Sequence, residues 1–508
     1  MQAPRFIKEW LLFPFLLPVF FVIHGWQTWY KYIDLGDVLT LTGMYLLLAG
    51  AVFLLTRIFV RNNAKAALFS FLLLVLFFFW GYIIDHAKSL MHGGFLSRIV
   101  VLVPVLLVMT VLLTVWFGRA QSAAKKRIVY YFNLLLLLYI GVDCGIMLYR
   151  QATLNNNSKV QVQQLQQARA AGKTGWDVYF IVFDEYGNAA SLQQNLGFDN
   201  SGIDSFLRAK GFSVQRHSRS NYNLTQFSMA SLLNMSYLSG IPASHIIGFE
   251  EYNNCVSLVS NNQVVQNFKA AGYDFENYSV FNINDQPAIA DEFFLPVKTR
   301  LITANTFYER QMSVYPWWLV RGKSKIGFLW ERYYFKGYRG NNRVFEKLEQ
   351  AAHKNNARPR FVYAHLMLPH PPYYYDSTGK LGALSDIYTA SKDLDPQHYV
   401  YSVRYANGKI KELVNRLQQQ KNAAIVIMGD HGFRKVVHSP DSALFFANFN
   451  AVYFPDKDYN ALYDSVSNVN MFRIVLNKVL HTQFALLPDS TILLEQRKDL
   501  RDEDAANN

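Results

Sequence analysis

The apolar residues of this 508-residue chain are concentrated near its N-terminus. Five long apolar runs follow one another with short polar joints, at about residues 9–26, 37–59, 66–86, 95–117 and 128–148. Each run is close to the roughly 20 residues with which a helix crosses a bilayer. Five such runs in succession are hard to bury in a water-soluble core. The pattern therefore predicts an α-helical membrane domain of five transmembrane helices over residues 1–150.

The basic residues in the joints predict the orientation of this domain. Three of them, Lys31, Lys88 and Arg98, fall on one side of the membrane. On the other side fall Arg5, Lys8, Arg57, Arg61, Lys65, Arg119, Lys125, Lys126 and Arg127. Because cytoplasmic joints carry the excess of positive charge, we expect a cytoplasmic N-terminus and an exported segment after Arg150. The first run is long and no small-residue cleavage site follows it, which argues against a removable signal peptide.

The hydrophobic pattern changes abruptly at Trp176. From there, short β-favouring apolar runs alternate with amphipathic helical segments, and the clearest strands begin at Asp177, Phe361 and Ile425. Such alternation indicates an α/β domain with a mostly parallel sheet covered by helices. The predicted boundaries are a linker over residues 151–175, the exported domain over residues 176–490 and a charged tail over residues 491–508.

The net charge of +13 does not indicate a nucleic-acid partner. Residues 1–175 hold 16 of the 50 Lys and Arg residues and 5 of the 37 acidic residues, a net of +11. The rest of the chain carries only +2. The basic excess is thus explained by membrane topology and contact with anionic lipid.

The two cysteines bear on the cellular compartment. Cys144 is predicted within the membrane and Cys255 outside it, so we expect no disulfide within the chain. An exported domain of about 330 residues is large enough to rely on its own core. Without a disulfide framework, a bacterial cell envelope is the favoured setting, with the chain in the inner (plasma) membrane and its catalytic domain periplasmic or extracellular.

Acidic and imidazole groups follow the predicted strands. Asp184 and Glu185 come directly after the strand that begins at Asp177, and Asp430 and His431 follow the strand that begins at Ile425. In open α/β sheets, chemistry occurs in the crevice beyond the carboxyl ends of the strands. A carboxylate beside an imidazole suits a divalent metal such as zinc or manganese.

A hydroxyl group stands at a predicted helix start. The stretch from Ser220 to Met235 leads from a polar loop into an apolar helical pattern at or near Thr225. One interpretation is that Thr225 only caps the helix. The other is that the free amides attract a phosphate or sulfate group and that a metal activates the hydroxyl for attack.

Three histidines lie near these segments. His370 stands between prolines, which hold it in a stiff and accessible loop. His438 follows His431 by seven residues in the loop beyond the sheet, whereas His365 lies within an apolar run and is more typical of a structural residue. The side chains of Asp184, Thr225, Asp430 and His431 together form a possible four-ligand site for one divalent cation.

These segments together resemble a known family. Asp184 after its strand, Ser-Asn-Tyr-x-x-Thr-x-x-Ser-x-Ala-Ser-x-Leu-Asn-Met from Ser220, Ala-His-x-x-x-Pro-His-Pro-Pro from Ala364 and Gly-Asp-His-Gly from Gly429 are similar to sulfatase-like proteins of the alkaline phosphatase superfamily. The plan of five spans and an exported domain resembles lipoteichoic acid synthases and lipid A phosphoethanolamine transferases.

The resemblance implies a role for each site residue. Thr225 would be the nucleophile that forms a covalent phospho-enzyme, and His370 and His438 would lie near the substrate. The implied metal ligands are Asp184, Thr225, Asp430 and His431, with one divalent ion, manganese or zinc. Related transferases often place Glu at the first metal position; here we expect Asp184, with Glu185 in reserve and His365 as a weaker candidate.

The expected function is a membrane-anchored, metal-dependent phosphotransferase. It would move a phosphate-linked head group from a membrane lipid donor to an envelope acceptor, with no nucleic acid and no obligate protein partner. The alternatives are a sulfatase-like hydrolase, either a phosphodiesterase or a sulfatase, and a non-catalytic envelope scaffold. Because Thr225 is not part of a Cys/Ser-x-Pro-x-Arg motif, the sequence favours phosphate over sulfate esters.

Overall fold

A computed structural model of the chain describes residues 10–91, 98–154, 160–163, 172–289, 297–313, 327–354, 356–420, 422–435 and 442–497. These residues form two compact units. The helical unit comprises the described parts of residues 1–157 and 292–316. The α/β unit comprises the described parts of residues 158–291 and 317–504.

Apolar helices build the helical unit. They are α1 (Phe13–Trp29), α2 (Leu35–Val60), α3 (Asn63–Phe78), α4 (Trp80–Leu90), α5 (Ile99–Arg119) and α6 (Ser122–Leu154). In the described part of the chain, α2, α5 and α6 are each long and apolar enough to cross a membrane. Helices α3 and α4 reach that length only as a pair bent by 69°. The predicted helical membrane domain is confirmed, whereas the count of five spans is not.

The surface of the helical unit is apolar. Large hydrophobic side chains on its helices are more than half exposed, among them Leu47, Phe59, Val100, Trp116 and Leu148. Large apolar side chains exposed in such number are unfavourable in water and fit a hydrocarbon environment.

One acidic residue lies inside the last apolar helix. Asp143 in α6 is buried, and its Oδ2 lies 3.1 Å from Nδ1 of His24 in α1. A buried carboxylate needs such a partner because desolvation penalises the charged form. Asp143 therefore links α1 to α6.

A later part of the chain also belongs to the helical unit. It consists of a 3₁₀ turn (Val297–Thr299), α12 (Arg300–Thr303) and α13 (Phe307–Ser313). Nζ of Lys298 lies 3.0 Å from Oδ2 of Asp34, and the guanidinium group of Arg310 pairs with Asp85. The predicted bounds of 176–490 assign this segment to the exported domain. Its ion pairs with Asp34, just before α2, and with Asp85, within α4, account for the difference.

The α/β unit is organised around a six-stranded sheet. The strands of the unit are β1 (Gln161–Val162), β2 (Asp177–Phe183), β3 (Ser213–Val214), β4 (Leu238–Ser239), β5 (Ile246–Ile247), β6 (Asp274–Tyr278), β7 (Arg360–Leu366), β8 (Ala423–Gly429), β9 (Asn450–Tyr453) and β10 (Glu495–Gln496). The main sheet has the order β3-β9-β8-β2-β7-β6. Strands β8, β2, β7 and β6 are parallel, and β9 runs against both of its neighbours. The predicted mostly parallel sheet is confirmed.

Helices cover both faces of this sheet. They are α7 (Ala189–Leu196), α8 (Ser201–Ala209), α9 (Thr225–Asn234), α10 (Phe249–Ser260), α11 (Gln263–Ala270), α14 (Gly327–Tyr334), α15 (Lys336–His353), α16 (Leu384–Lys392), α17 (Pro396–Leu417) and α18 (Asn468–Leu480). Ile181 faces the core shared with α15 and α17, whereas Phe180 contacts Phe472 of α18. Because side chains alternate across a strand, β2 is apolar at nearly every position.

The C-terminal segment differs from the expectation. Residues 491–497, predicted as part of a charged tail, belong to the α/β unit. Glu495 and Gln496 of β10 pair in parallel with Ile246 and Ile247 of β5. Main-chain pairing holds this segment, which also contains a short apolar run at residues 492–494. Residues 498–508 lie outside the described part of the chain.

The end of the sheet opposite the polar strand ends is held by a buried ion pair. The side chain of Arg360 in β7 is fully buried, and its Nη2 lies 2.7 Å from Oδ2 of Asp177 and 2.9 Å from the hydroxyl of Tyr179. Its removal leaves the Asp177 carboxylate without its main partner.

We expect Arg360→Met to destabilise the α/β unit by about 3 kcal/mol or more. Arg358→Met is the control, because Arg358 pairs with Asp274 while mostly exposed, and exposed pairs contribute about 1 kcal/mol or less. Thermal unfolding of the full chain in detergent measures both. Equal shifts for the two variants would contradict this account.

Candidate active site and metal centre

Three parallel strands bring polar groups to one edge of the sheet. Asp184 follows β2, Asp430 follows β8, and the loop after β7 carries His370. The last residue of β2 is in register with the last residues of β7 and β8. The main-chain N–H of His370 donates to the carbonyl of Asp184 across 3.2 Å, which holds the two loops together.

The turn that carries Asp430 and His431 is fully buried. A side chain at Gly432 would collide with main-chain oxygens of a neighbouring loop, so glycine permits the close packing. The carbonyl of Asp430 accepts hydrogen bonds from Oγ of Ser228 at 2.6 Å and Nδ2 of Asn468 at 2.9 Å. The turn is therefore fixed by packing and by side chains from two helices.

Thr225 is the first residue of α9. The N-cap residue is Leu224, whose side chain makes no capping hydrogen bond. The Thr225 hydroxyl instead lies 3.5 Å from Oδ2 of Asp184 and 3.3 Å from Nε2 of His431. The structure thus places this hydroxyl among the acidic and imidazole groups, and the interpretation as a helix cap does not hold.

The ligand atoms of Asp184, Asp430 and His431 lie within 4.8 Å of one another. Nδ1 of His431 lies 2.9 Å from the carbonyl oxygen of Gly432. Nε2 of the same ring lies 3.3 Å from Oδ2 of Asp430, so the contact with Gly432 turns this nitrogen toward the carboxylates. The imidazole is thereby oriented as a metal ligand.

Two carboxylate oxygens support the same conclusion. Oδ1 of Asp184 and Oδ2 of Asp430 are buried without a hydrogen-bond partner among the residues that the structure describes. Unpaired buried acceptors are costly, and buried charges are normally paired or coordinated to metals. The donor set of two carboxylates, one imidazole and one hydroxyl therefore fits a divalent cation.

The electrostatics of Asp184 agree with an ionised ligand. Burial raises the pKa of the Asp184 carboxyl, but the nearby imidazoles of His370, His365 and His431 outweigh it and lower the pKa well below its usual range. Nε2 of His365 lies 3.3 Å from Oδ2 of Asp184, and its Nδ1 lies 3.0 Å from the Tyr363 hydroxyl. The contact with His365 thus helps to hold the Asp184 carboxylate in position.

The contacts of Glu185 differ from those of Asp184. Its backbone is in the left-handed region at φ 62°, an unfavourable conformation for a residue with a side chain. Its N–H donates to Oδ1 of Asp430 across 2.9 Å. Its carboxylate turns toward Arg434, whose main-chain N and Nε lie 3.1 and 3.2 Å from Oε1.

Arg434 is a site residue that sequence reasoning missed. Burial lowers the pKa of its guanidinium, but Glu185 outweighs burial and raises it, so the pair is ionised. Nη2 of Arg434 lies 3.4 Å from Nε2 of His370, whose Nδ1 lies 2.6 Å from the carbonyl of Pro371. Its position in the loop four residues after Asp430 was the available signal.

A cleft of about 470 Å³ adjoins these groups. Charged or imidazole side chains line one part, and apolar side chains line much of the rest. The lining residues are Glu185, Asn223, Leu224, His370, Pro371, Tyr373, Leu394, Phe433, Arg434, Lys435, Leu494 and Gln496. The predicted substrate residue His438 lies outside the described residues.

Ser228 and Asn468 were also not predicted. Ser228 stands three residues after Thr225 on α9, so the two side chains share a helix face. That spacing was visible in the sequence and could have indicated the contact with the Asp430 turn. Asn468 comes from α18, late in the chain, and no local signal pointed to it.

Comparison with known proteins agrees with this geometry. The sulfatase family profile matches residues 180–479. A comparison with curated protein sequences gives no match.

Solved structures give low-identity similarities. Lipooligosaccharide phosphoethanolamine transferase A (EptA) from Neisseria meningitidis is 11% identical, with 94% of this chain and 95% of that chain covered and a TM-score of 0.39. The periplasmic domain of EptC from Escherichia coli is 10% identical over 62% and 85%, with a TM-score of 0.39. The phosphonate monoester hydrolase of Agrobacterium radiobacter is 11% identical over 61% and 74%, with a TM-score of 0.36. The family assignment rests on the profile.

The isosteric variants Asp184→Asn and Glu185→Gln distinguish the two candidate acids at the first metal position. We expect Asp184→Asn to weaken manganese or zinc binding by more than about a hundredfold, since even supporting groups around a metal contribute about 10–100-fold. Glu185→Gln should change affinity by less than about tenfold. Titration calorimetry on the purified full chain measures both. The reverse order would make Glu185 the ligand.

Proposed function

This chain belongs to the sulfatase family, whose members act on phosphate or sulfate esters, and we propose that it is a membrane-anchored phosphotransferase that uses Thr225 as its nucleophile. The observation that carries the proposal is the Thr225 hydroxyl, held within 3.5 Å of both Asp184 and His431 at the start of a helix. One divalent ion, manganese or zinc, would be held by Asp184, Thr225, Asp430 and His431. Bound there, such an ion supplies Lewis-acid activation of the hydroxyl and charge neutralisation.

The proposed reaction has two displacements at phosphorus. In the first, the Thr225 hydroxyl loses its proton as its oxygen bonds to phosphorus, while the lipid alcohol leaves with the electron pair of its ester bond and takes up a proton. In the second, the hydroxyl of an envelope acceptor loses its proton as its oxygen bonds to phosphorus, while the Thr225 oxygen leaves with the electron pair of its ester bond and regains a proton. A covalent intermediate divides one difficult step into two easier ones.

His370 and Arg434 are proposed to bind non-bridging oxygens of the phosphate. Both line the cleft, and the pair with Glu185 holds the guanidinium in place before substrate binds. A preorganised cation is effective because it needs no reorganisation when charge develops. His438, by the family resemblance, is proposed to share this role.

The apolar surface of the helical unit supports a lipid donor. We propose that the chain lies in the bacterial inner membrane with a cytoplasmic N-terminus and with the α/β unit outside. Tethering then keeps the active site at the leaflet from which it takes its donor. Product analysis with and without an added alcohol acceptor separates transfer from hydrolysis, because a phosphodiesterase would give the same products in both cases.

Substitution of the nucleophile tests the reaction. Thr225→Ala should abolish turnover of bis(4-nitrophenyl) phosphate with manganese, whereas Thr225→Ser keeps the nucleophilic oxygen and should retain measurable activity. Ser231→Ala is the control, because Ser231 lies on the same helix and its hydroxyl donates to the carbonyl of Ser236. If Thr225→Ala matched the wild type, the proposed mechanism would be wrong.

Substitution of Arg434 tests the phosphate contact. Arg434→Ala should raise the inhibition constant of inorganic phosphate about tenfold to a hundredfold, since hydrogen bonds to charged groups contribute about 1.5–3 kcal/mol. Arg416→Ala is the control, because Arg416 pairs with Glu349 at the exposed surface. An unchanged constant for Arg434→Ala would limit Arg434 to holding Glu185.

A further inference from the structure

The C-terminal segment of the α/β unit is held by asparagine side chains. Each accepts a hydrogen bond from the N–H of one residue and donates another to the carbonyl of that residue. The pairs are Asn477 with Phe484 at 2.7 and 2.8 Å, Asn470 with Leu487 at 2.8 and 2.8 Å, and Asn223 with Leu494 at 2.9 and 3.1 Å. Each asparagine amide thus makes the two main-chain hydrogen bonds that a neighbouring strand would otherwise make.

The last of these pairs involves the loop that leads into Thr225. Beside Asn223, the Asn221 side chain donates to the carbonyl of Ser490 across 2.8 Å, and its main-chain oxygen accepts from the N–H of Ile492 at 2.8 Å. Asn221 and Asn223 are both buried. Residues 490–494 therefore form a ladder with the nucleophile loop, and we call residues 490–497 the C-terminal strap.

The same strap forms a wall of the substrate cleft. Leu494 and Gln496 line the cleft beside Leu224, the residue just before the nucleophile. The Leu494 side chain is itself largely buried. Beyond the ladder, the main-chain N–H of Glu495 donates to the carbonyl of His245, just before β5, and that of Arg497 donates to the carbonyl of Ile247 in β5, at 3.0 Å each. The strap is thus fixed both to the loop before Thr225 and to β5.

The helix start needs an outside constraint. The N-cap residue Leu224 offers no side-chain hydrogen bond to α9, so the cap does not fix the position of Thr225. Nucleophilic attack is sensitive to placement, and an error of about 1 Å can cost about a hundredfold in rate. The strap supplies hydrogen bonds to both asparagines that flank Tyr222 in this loop.

We propose that the C-terminal strap completes the active site, with Asn223 as the positioning residue for Thr225 and Leu494 as a specificity-determining contact for the ester group of the substrate. The kinetic part of this inference rests on the proposed function, since it assumes attack by Thr225. The apolar wall fits the hydrocarbon-proximal part of an ester rather than a second charged group.

The central comparison is Asn223→Ala against Asn470→Ala. Asn470 is buried and makes the same two-bond contact with Leu487, but neither residue lines the cleft. We expect Asn223→Ala to lower kcat for bis(4-nitrophenyl) phosphate with manganese by about 10–100-fold, with manganese affinity unchanged within about threefold. Asn470→Ala should keep wild-type kcat. Equal losses in the two variants would overturn the positioning role.

Hydrogen–deuterium exchange of the full chain gives a readout that does not depend on turnover. Asn223→Ala should speed exchange in the peptide that covers residues 220–228, and Asn470→Ala should leave that peptide unchanged. Unchanged exchange in both variants would overturn the inference even if the enzyme were inactive on the probe. Loss of activity in Thr225→Ala with full activity in Asn223→Ala would overturn the strap role and leave the proposed function standing.

Three further variants test the strap and the cleft wall that it forms. Leu494→Ala should raise KM for an aryl phosphodiester by about tenfold and leave the inhibition constant of inorganic phosphate unchanged. Truncation after residue 497 should keep kcat, whereas truncation after residue 489 should lower it as Asn223→Ala does. Full activity of a folded chain truncated after residue 489 would overturn the proposal.

Discussion

Two buried carboxylates beside a buried imidazole are the constraint on which this candidate active site depends. The ligand atoms of Asp184, Asp430 and His431 lie within 4.8 Å, and two of the oxygens have no hydrogen-bond partner in the described part of the chain. Like charges at this distance in a desolvated site repel strongly. A cation shared among these groups would relieve that repulsion, and the surrounding contacts hold the groups in place.

The sheet delivers these groups in register. Strands β2, β7 and β8 are buried on both faces, and their carboxyl ends meet at one edge, as in other parallel sheets. A second set of residues then fixes the positions of the groups at these strand ends. His365 contacts Asp184, Ser228 and Asn468 contact the Asp430 turn, and the strained backbone of Glu185 joins Asp430 to Arg434. Strain of this kind persists only where the surroundings enforce it.

Much of the site was predictable because local patterns placed each group at a strand end or a helix start. One apolar run stops at Asp184 and another stops at Asp430. These two boundaries predict two members of the cluster from the sequence alone. Thr225 was ambiguous, since a hydroxyl at a helix start is also a normal cap. Only the position of Leu224 as N-cap resolved that ambiguity.

The remaining features could not be predicted from local sequence patterns. The ion pair of Glu185 and Arg434 depends on the left-handed backbone conformation of Glu185, which no sequence pattern predicts. The strap is held by Asn221 and Asn223, which lie far away in sequence, and the charged residues that begin at Glu495 resemble a tail. In the helical unit, α3 and α4 together match one apolar run yet are bent by 69°, because hydrophobic length alone does not report a break.

The most direct test of the account is intact-mass analysis of the purified full chain after incubation with membrane lipid extract and manganese or zinc. A covalent adduct that maps to Thr225, with the mass of a phosphate-linked head group, is the predicted result, and that mass identifies the transferred group. An adduct on another residue, or one that persists in Thr225→Ala, would contradict the assignment of Thr225 as the nucleophile.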